Sequence, residues 1–250
     1  MCTLSWQVSE QGNAHEIYFS RDEQRKRVKA KPPELQLIND TQCLLPCDPA
    51  GGGTWIGVNE YGVTVCLLND YRVPFDYPKD VALRSRGLLV KDLLGEITEQ
   101  GSCDQVVKAM VADGDYAPFR LVVFTSGICT CWCWDGEKIS VIEEPRCPIT
   151  SSSWESERVE NRRQEIYDEI VIDGDVSQGD FHRHQLEGDA ESSVCMSREL
   201  TQTVSLTHIH ISESSGMINI RYGDRIGENG GDDAFDLQPG GEMKLISKEG

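Results

Sequence analysis

The sequence predicts an α+β domain with a layered αββα plan. Three observations carry that prediction. The front of the chain alternates with a period of two, as strands do. Residues 84–112 carry apolar positions at helical spacing. The chain then returns to strands, a helix and a last pair of strands.

Taken in order, Cys2–Val8 sets Cys2, Leu4, Trp6 and Val8 on one face and Thr3, Ser5 and Gln7 on the other. Glu10-Gln11-Gly12-Asn13 is a turn signal, and Ala14–Arg21 alternates again with Ile17, Phe19 and Arg21 on one side, so the two runs form a hairpin. Setting Val8 against His15 brings Cys2 opposite Arg21, each on the apolar face of its own strand. Arg25–Pro33 is basic and contains proline, and is expected to be a loop. Gly51-Gly52-Gly53 leads into a strand at Thr54–Val58, and Asn59–Gly62 is a turn. Val63–Leu68 is apolar throughout, as in a strand covered on both faces. Arg84–Glu96 and Asp104–Ala112 read as helices. Arg120–Thr125, Cys129–Trp134 and Lys138–Glu143 read as a meander with a turn at Asp135-Gly136. Ser152-x-x-Glu155 has the spacing of a capping box before a helix running to about Ile170. Asp173–Ser193 is acidic and aperiodic and is expected to be a long loop. Val204–Ile211 and Ile218–Tyr222 form a final hairpin. The domain is placed at 1–222, and 223–250 is expected to be a mobile, acidic, Gly-rich tail.

Composition narrows the functional classes. The chain has 250 residues, with 24 Lys and Arg against 42 Asp and Glu, a formal charge of −18. Nucleic acids and anionic membranes bind through Lys and Arg, so both are poor matches. No apolar run approaches the ~20 residues a spanning helix needs. The first residues lack the basic and apolar segments of a secretory signal, so the ten cysteines are expected to be reduced thiols in a cytoplasm.

Cys2 directly follows Met1. Removal of Met1 leaves an α-amine, of ordinary pKa ~7.7–8.0, on the residue that bears the thiol. One residue then supplies nucleophile and general base, the arrangement of N-terminal nucleophile enzymes. Arg21 shares the face of Cys2, where a guanidinium lowers a thiol pKa and orients a carboxylate or carbonyl. Asn69 ends the apolar strand and offers an amide to an oxyanion. Arg198, just before the last hairpin, is expected to close the far end of the site. Each residue also has a plain structural reading, as a strand start, a strand end, a turn and a surface charge.

Met1-Cys2-Thr3, Ser20-Arg21-Asp22-Glu23, Gly52-Gly53-Thr54-Trp55-Ile56-Gly57-Val58-Asn59 and Gly62–Asn69 together resemble the NRDE family, also called the transport and Golgi organisation protein 2 family. The resemblance is strong over 1–70 and looser through Ile149–Arg163 and Ser193–Thr203. It implies the four-layer αββα sandwich of N-terminal nucleophile hydrolases, with the cholylglycine hydrolase and penicillin V acylase group as cousins. By position it implies Cys2 as nucleophile, Arg21 beside it and Asn69 as the amide after the Gly-Val strand, with Asp22 and Arg198 completing the catalytic set. Glu23, Trp55 and Ser151 are expected to line the substrate. The pattern departs at Ser20, where the motif has Asn; at Gln24, where the acylases have Asp; and at Ser151, where they have a second Asn. The implied activity is hydrolysis of an amide or acyl C–N bond in a small molecule. The family's links to trafficking, lipid metabolism and haem movement imply the alternative, a non-enzymatic protein handling haem or a lipid-like acyl ligand.

No cofactor or metal is expected. Cys129-x-Cys131-x-Cys133 has period two, which puts three thiols on one strand face rather than around an ion. Cys43-x-x-x-Cys47 lacks a second pair. His182-x-His184 and His208-x-His210 read as a loop and a strand face. Asp173-x-Asp175-x-Ser177 lacks the Gly and Glu of a calcium loop. Gly51–Gly53 lacks the Lys of a phosphate loop, and no Cys-x-x-Cys-His haem motif is present. Oligomeric state is left open.

Overall fold

The computed structural model describes residues 1–8, 15–76, 82–98, 103–125, 128–212, 215–224 and 238–244. The turn expected at Glu10–Asn13 lies outside the described residues. The strands are β1 (Cys2–Val8), β2 (His15–Gln24), β3 (Lys31–Ile38), β4 (Thr41–Cys47), β5 (Ile56–Asn59), β6 (Thr64–Asn69), β7 (Phe119–Thr125), β8 (Ile128–Trp134), β9 (Ile139–Glu143), β10 (Ile149–Ser151), β11 (Thr201–Ile211), β12 (Met217–Asp224) and β13 (Gln238–Lys244). The helices are α1 (Arg86–Glu96), α2 (Cys103–Ala112), α3 (Ser156–Tyr167) with a π-helical turn at Asp168–Ile172, and α4 (Gln178–Arg183).

Two antiparallel sheets form, in the orders β10-β1-β2-β11-β12-β13 and β3-β4-β5-β6-β7-β8-β9. Alternation in each strand divides its side chains between two layers. Leu4, Ile17, Phe19 and Ile209 of the first sheet meet Ile56, Leu68, Val122 and Phe124 of the second, and this is the core between the sheets. Each such buried side chain contributes ~1.5–3 kcal/mol of transfer free energy. The opposite face of the second sheet, with Val65, Leu67, Leu121 and Val123, is covered by Leu89, Val90, Leu93 and Leu94 of α1 and Val107 and Val111 of α2. α3 and α4 lie on the outer side of the first sheet, where Arg163 of α3 reaches Thr3 and His182 of α4 reaches Ser5 and Ser20. The result is a four-layer αββα sandwich.

Cys2 pairs with Arg21 and Val8 with His15, the register expected from the sequence. Four expectations need correction. Residues 31–33 belong to β3, which with β4 forms a hairpin where a loop was expected. Pro32 and Pro33 are tolerated because β3 is an edge strand with a register shift between Lys31 and Glu34. The capping box does not form. The Ser152 hydroxyl is engaged by Trp154, and Glu155 is the N-cap in the left-handed region with no side-chain cap bond. The expected loop 173–193 contains α4, capped by the Ser177 side chain and anchored by buried Phe181 and His182. The tail contributes Gln238–Lys244 as an edge strand on β12, beyond the boundary placed at 222. No helix among the described residues is long and apolar enough to cross a membrane.

Candidate active site

β1 lies between β2 and β10, so Cys2 is flanked by Arg21 on one side and Ser151 on the other. Directly opposed residues in an antiparallel pair point to the same face. Arg21, Cys2 and Ser151 therefore form a row facing the second sheet, at the end of the sandwich. The Ser151 hydroxyl is buried and has no hydrogen-bond partner among the described residues. The same holds for the Trp55 indole Nε1. An unpaired buried donor is unfavourable unless another group, such as a bound ligand, meets it.

Cys2, Arg21 and Trp55 line a cavity of about 350 Å³. The Arg21 guanidinium lies 4.4 Å from the Trp55 ring centroid, and Glu23 and Asp48 each approach it at 3.4 Å. Arg27 binds the same two carboxylates. Burial raises the Asp48 carboxyl, but Arg27, the Ala50 N–H and Arg21 outweigh it and hold it below its ordinary value. Arg21 is thus held by three groups, Trp55, Glu23 and Asp48, beside the thiol.

The far wall is the N-terminal end of α1. Its Gly87 carbonyl accepts from the Thr54 N–H at 3.0 Å. Gly53 makes this approach possible, because a Cβ there would sit 2.3 Å from the Gly87 carbonyl carbon. Gly52 takes φ +66° to turn the chain toward it. The Gly-Gly-Thr-Trp run is therefore the device that places Trp55 and α1 around the cavity.

Residue 1 occupies the approach to Cys2. The Met1 ammonium donates to the Asp22 carbonyl at 3.2 Å, and the Asp22 N–H donates to the Met1 carbonyl at 2.9 Å. The Met1 Sδ lies 3.0 Å from Arg198 Nη1 and 3.5 Å from the Ser152 hydroxyl. Arg198 stacks 4.7 Å from the Trp154 ring and donates to the Glu191 carbonyl. With Met1 attached, burial pushes the Cys2 thiol up, and the Met1 ammonium and Arg21 offset this only in part.

The expected residues are thus distributed unequally. Cys2, Arg21, Glu23 and Trp55 line one cavity, while Ser151, expected beside them, is buried next to Cys2 on β10 and is not part of the cavity lining. Arg198 reaches Met1 rather than Cys2. The Asp22 carboxylate turns to the opposite side of the sheet, where Thr203 donates to it at 2.6 Å and Arg163 approaches at 3.4 Å, so only the Asp22 backbone faces the site. A bulge at Val204, between the pairs Thr203–Asp22 and Ser205–Arg21, helps set that division. Asn69 lines the cavity, but its amide donates to the Tyr71 hydroxyl at 2.9 Å, and its strand parity is that of Val65 and Leu67 on the helix side. Sequence reasoning missed Arg27, Asp48, Arg84 and Arg86, all cavity-lining. They stand in loops and at a helix start, where no periodicity marks them. Among the described residues no cluster of three or more His, Cys, Asp or Glu is placed to hold a metal ion.

The fold is shared with solved structures. The chain superimposes on a mutant of the conjugated bile acid hydrolase from Clostridium perfringens with a TM-score of 0.54, at 12% identity, over 96% of each chain. It superimposes on penicillin V acylase from Agrobacterium tumefaciens with a TM-score of 0.50, at 10% identity, over 95% of this chain and 90% of that one. At such identities the likeness carries the fold alone, the four-layer αββα sandwich. No curated protein sequence matches the chain. A family model described as Transport and Golgi organisation 2 matches residues 1–217, from the initial Met-Cys to the first residue of β12, and the chain belongs to that family.

Proposed function

We propose that the protein is an N-terminal cysteine hydrolase that cleaves an amide or acyl C–N bond of a small molecule once Met1 is removed. The observation that carries this reading is the row Arg21, Cys2, Ser151, of which Arg21 and Cys2 line a cavity. In it, the Cys2 Sγ attacks the substrate carbonyl carbon, and the freed α-amine takes the thiol proton. The tetrahedral oxyanion accepts from the Ser151 hydroxyl and the Trp55 Nε1, two buried donors otherwise unpaired. The Asp22 N–H, which loses its acceptor with the Met1 carbonyl, is a third. The C–N bond breaks, the α-amine returns its proton to the leaving nitrogen, and water releases the acid from the thioester. Arg21, fixed by Trp55, Glu23 and Asp48, favours the thiolate and orients the substrate. Arg198 and Ser152 border the slot that Met1 vacates. All ten cysteines are free thiols, which supports a reducing, cytoplasmic setting.

The test is intact-mass and peptide mapping of the purified protein after exposure to an electrophilic acyl probe at neutral pH. The expected result is loss of Met1 and an adduct on Cys2 that is absent in Cys2→Ala. Retention of Met1, or an unlabelled Cys2 beside labelled thiols elsewhere, overturns the hydrolase reading. It would turn attention to haem or a lipid-like acyl ligand held on the same scaffold.

A further inference from the structure

A second set of reactive groups lies away from the Cys2 cavity. Cys129, Cys131 and Cys133 all face the core between the sheets, and the last two approach each other. Their Sγ atoms are 3.8 Å apart. Cys131 is buried, and Cys133 is half-buried near the end of β8. Arg120 of β7 lies directly across from Cys133, with its side chain 7% exposed. Its guanidinium binds the Thr150 carbonyl and Glu160, while its Nε has no hydrogen-bond partner among the described residues. Asp70 lies 3.9 Å from that Nε and is paired at 2.7 Å with Arg72. Cys131, Arg72 and Arg120 line a cavity of about 260 Å³ whose wall also includes Ile142 and Thr150. Cys131 and two guanidinium groups thus meet at one opening, and Cys133 adjoins it through its 3.8 Å contact with Cys131.

We propose that Cys133 and Cys131 form a peroxide-reactive dithiol site, with Cys133 as the attacking thiol and Cys131 as the resolving one. The Cys133 thiolate attacks one oxygen of a hydroperoxide. The S–O bond forms, the O–O bond breaks, and the departing hydroxide or alkoxide takes a proton. Cys133 is then a sulfenic acid. The Cys131 sulfur attacks it, the S–S bond forms, and the S–O bond breaks with loss of water carrying the Cys131 proton. Two thiols are oxidised to one disulfide, and hydrogen peroxide is reduced to two waters.

The roles follow from the surroundings. Cys133 is half-buried where Cys131 is buried, so it is the thiol an oxidant reaches first, and its hydrogen bond with Cys131 pulls it below its ordinary value. Arg120 and Arg72 assist, while burial and Asp70 oppose. The same hydrogen bond, with burial, pushes Cys131 up. At neutral pH a larger fraction of Cys133 than of an ordinary thiol is therefore thiolate. Lower basicity gives back part of that gain. The bond formed is also labile. Two residues of extended strand rise about 6.8 Å, the upper end of the Cα separations a disulfide spans. A strained disulfide is readily reduced, which suits a reversible mark rather than a structural cross-link.

The experiment is a hydrogen peroxide titration of the full chain at pH 7, followed by differential alkylation and fragmentation mapping of the peptide 121–138. The expected result is a Cys131–Cys133 disulfide formed ahead of oxidation at Cys47 and Cys147, the two other half-buried thiols, and reversed by a dithiol reductant. Cys131→Ser should stop the reaction at a Cys133 sulfenic acid that a 1,3-diketone traps. Cys133→Ser should leave Cys131 a thiol. Arg72→Gln, at a half-exposed side chain, should slow the first step and move its pH midpoint upward. Oxidation of Cys133 no faster than Cys47 and Cys147 overturns the proposal. So does a sulfenic acid that persists with Cys131 present, or a Cys129–Cys131 bond in place of the expected one.

Discussion

Arg163→Met tests the scaffold that holds the N-terminus. Arg163 stands on α3 under the first sheet with its side chain 1% exposed, and the Asp22 carboxylate it faces at 3.4 Å is fully buried. The guanidinium also donates to the Thr3 hydroxyl at 2.6 Å and to the Ser192 and Ser193 carbonyls at 3.3 and 2.7 Å. Methionine fills much of the volume and removes every donor. Asp22 is then a buried, uncompensated charge, a loss worth about 3–5 kcal/mol. For a chain of this size each kcal/mol moves Tm by about 2–4 °C, so the expected fall is about 6–20 °C. The assay is thermal and urea unfolding of the single variants Arg163→Met and Asp22→Asn and of the double variant. Asparagine keeps an acceptor for Thr203 and discards the charge, so the double variant should recover at least about 2 kcal/mol of the summed losses. A single-variant loss below about 1 kcal/mol, or strict additivity in the double variant, would refute the argument.

Three further outcomes are expected. Ser151→Ala should change stability by no more than about 1 kcal/mol, because the hydroxyl has no partner to lose. It should nevertheless slow Cys2 acylation about 10²-fold, and an unchanged rate would remove Ser151 from the site. Gly53→Ala forces a Cβ into the Gly87 backbone at 2.3 Å. It should cost about 1–3 kcal/mol or more in urea unfolding, and a neutral result would mean that α1 is not seated as described. Acid should destabilise the fold as soon as pH falls below about 6.5. Burial holds His15, His182 and His208 down at about 4, 3 and 4 in the folded chain. The unfolded chain takes up these protons near pH 6.5 and the folded chain does not. Stability present above pH 6.5 is therefore lost as pH falls toward 4, by up to ~1.4 kcal/mol per pH unit for each histidine. Flat urea midpoints between pH 7 and 5 would contradict this.

The parts of the fold legible in the sequence are those where period and burial agree. β1 and β2 alternate with their apolar sides inward, so parity alone placed Cys2 with Arg21. The meander β7–β9 and the helices α1 and α2 carried their own spacing. The hairpin β3–β4 was hidden because β3 has prolines at its second and third positions and exposes Leu35 and Leu37 at 56% and 69%, so its alternation points the wrong way for a core strand. α4 was hidden because it has six residues and draws its stability from tertiary contacts, among them the Ser5–His182–Ser20 hydrogen bonds. In the site, the pairing of Cys2 with Arg21 followed from strand logic and the choice of Ser151 from the family resemblance, but β10, three residues long, carried too short a pattern to show that Ser151 pairs with Cys2. The charged wall did not. Arg27 and Asp48 meet only after two hairpins have folded, and neither position differs locally from an ordinary surface charge.

The bonds that hold Met1 against Asp22 also set a clock. An aminopeptidase must draw a free, extended N-terminus into its own cavity. In the folded chain both the amine and the carbonyl of Met1 are engaged, and Cys2 is nine-tenths buried. On the proposed reading, trimming has to come before β1 is zipped in, while the nascent chain is still growing. The strand that closes the second side of β1 is β10, whose Ser151 pairs with Cys2. At about 5–20 residues per second, β10 is synthesised about 7–30 s after residue 1. That interval is when the nucleophile can be made. A chain that folds ahead of its processing keeps a sealed site for its lifetime, so the active fraction of a preparation reports the outcome of a race during synthesis.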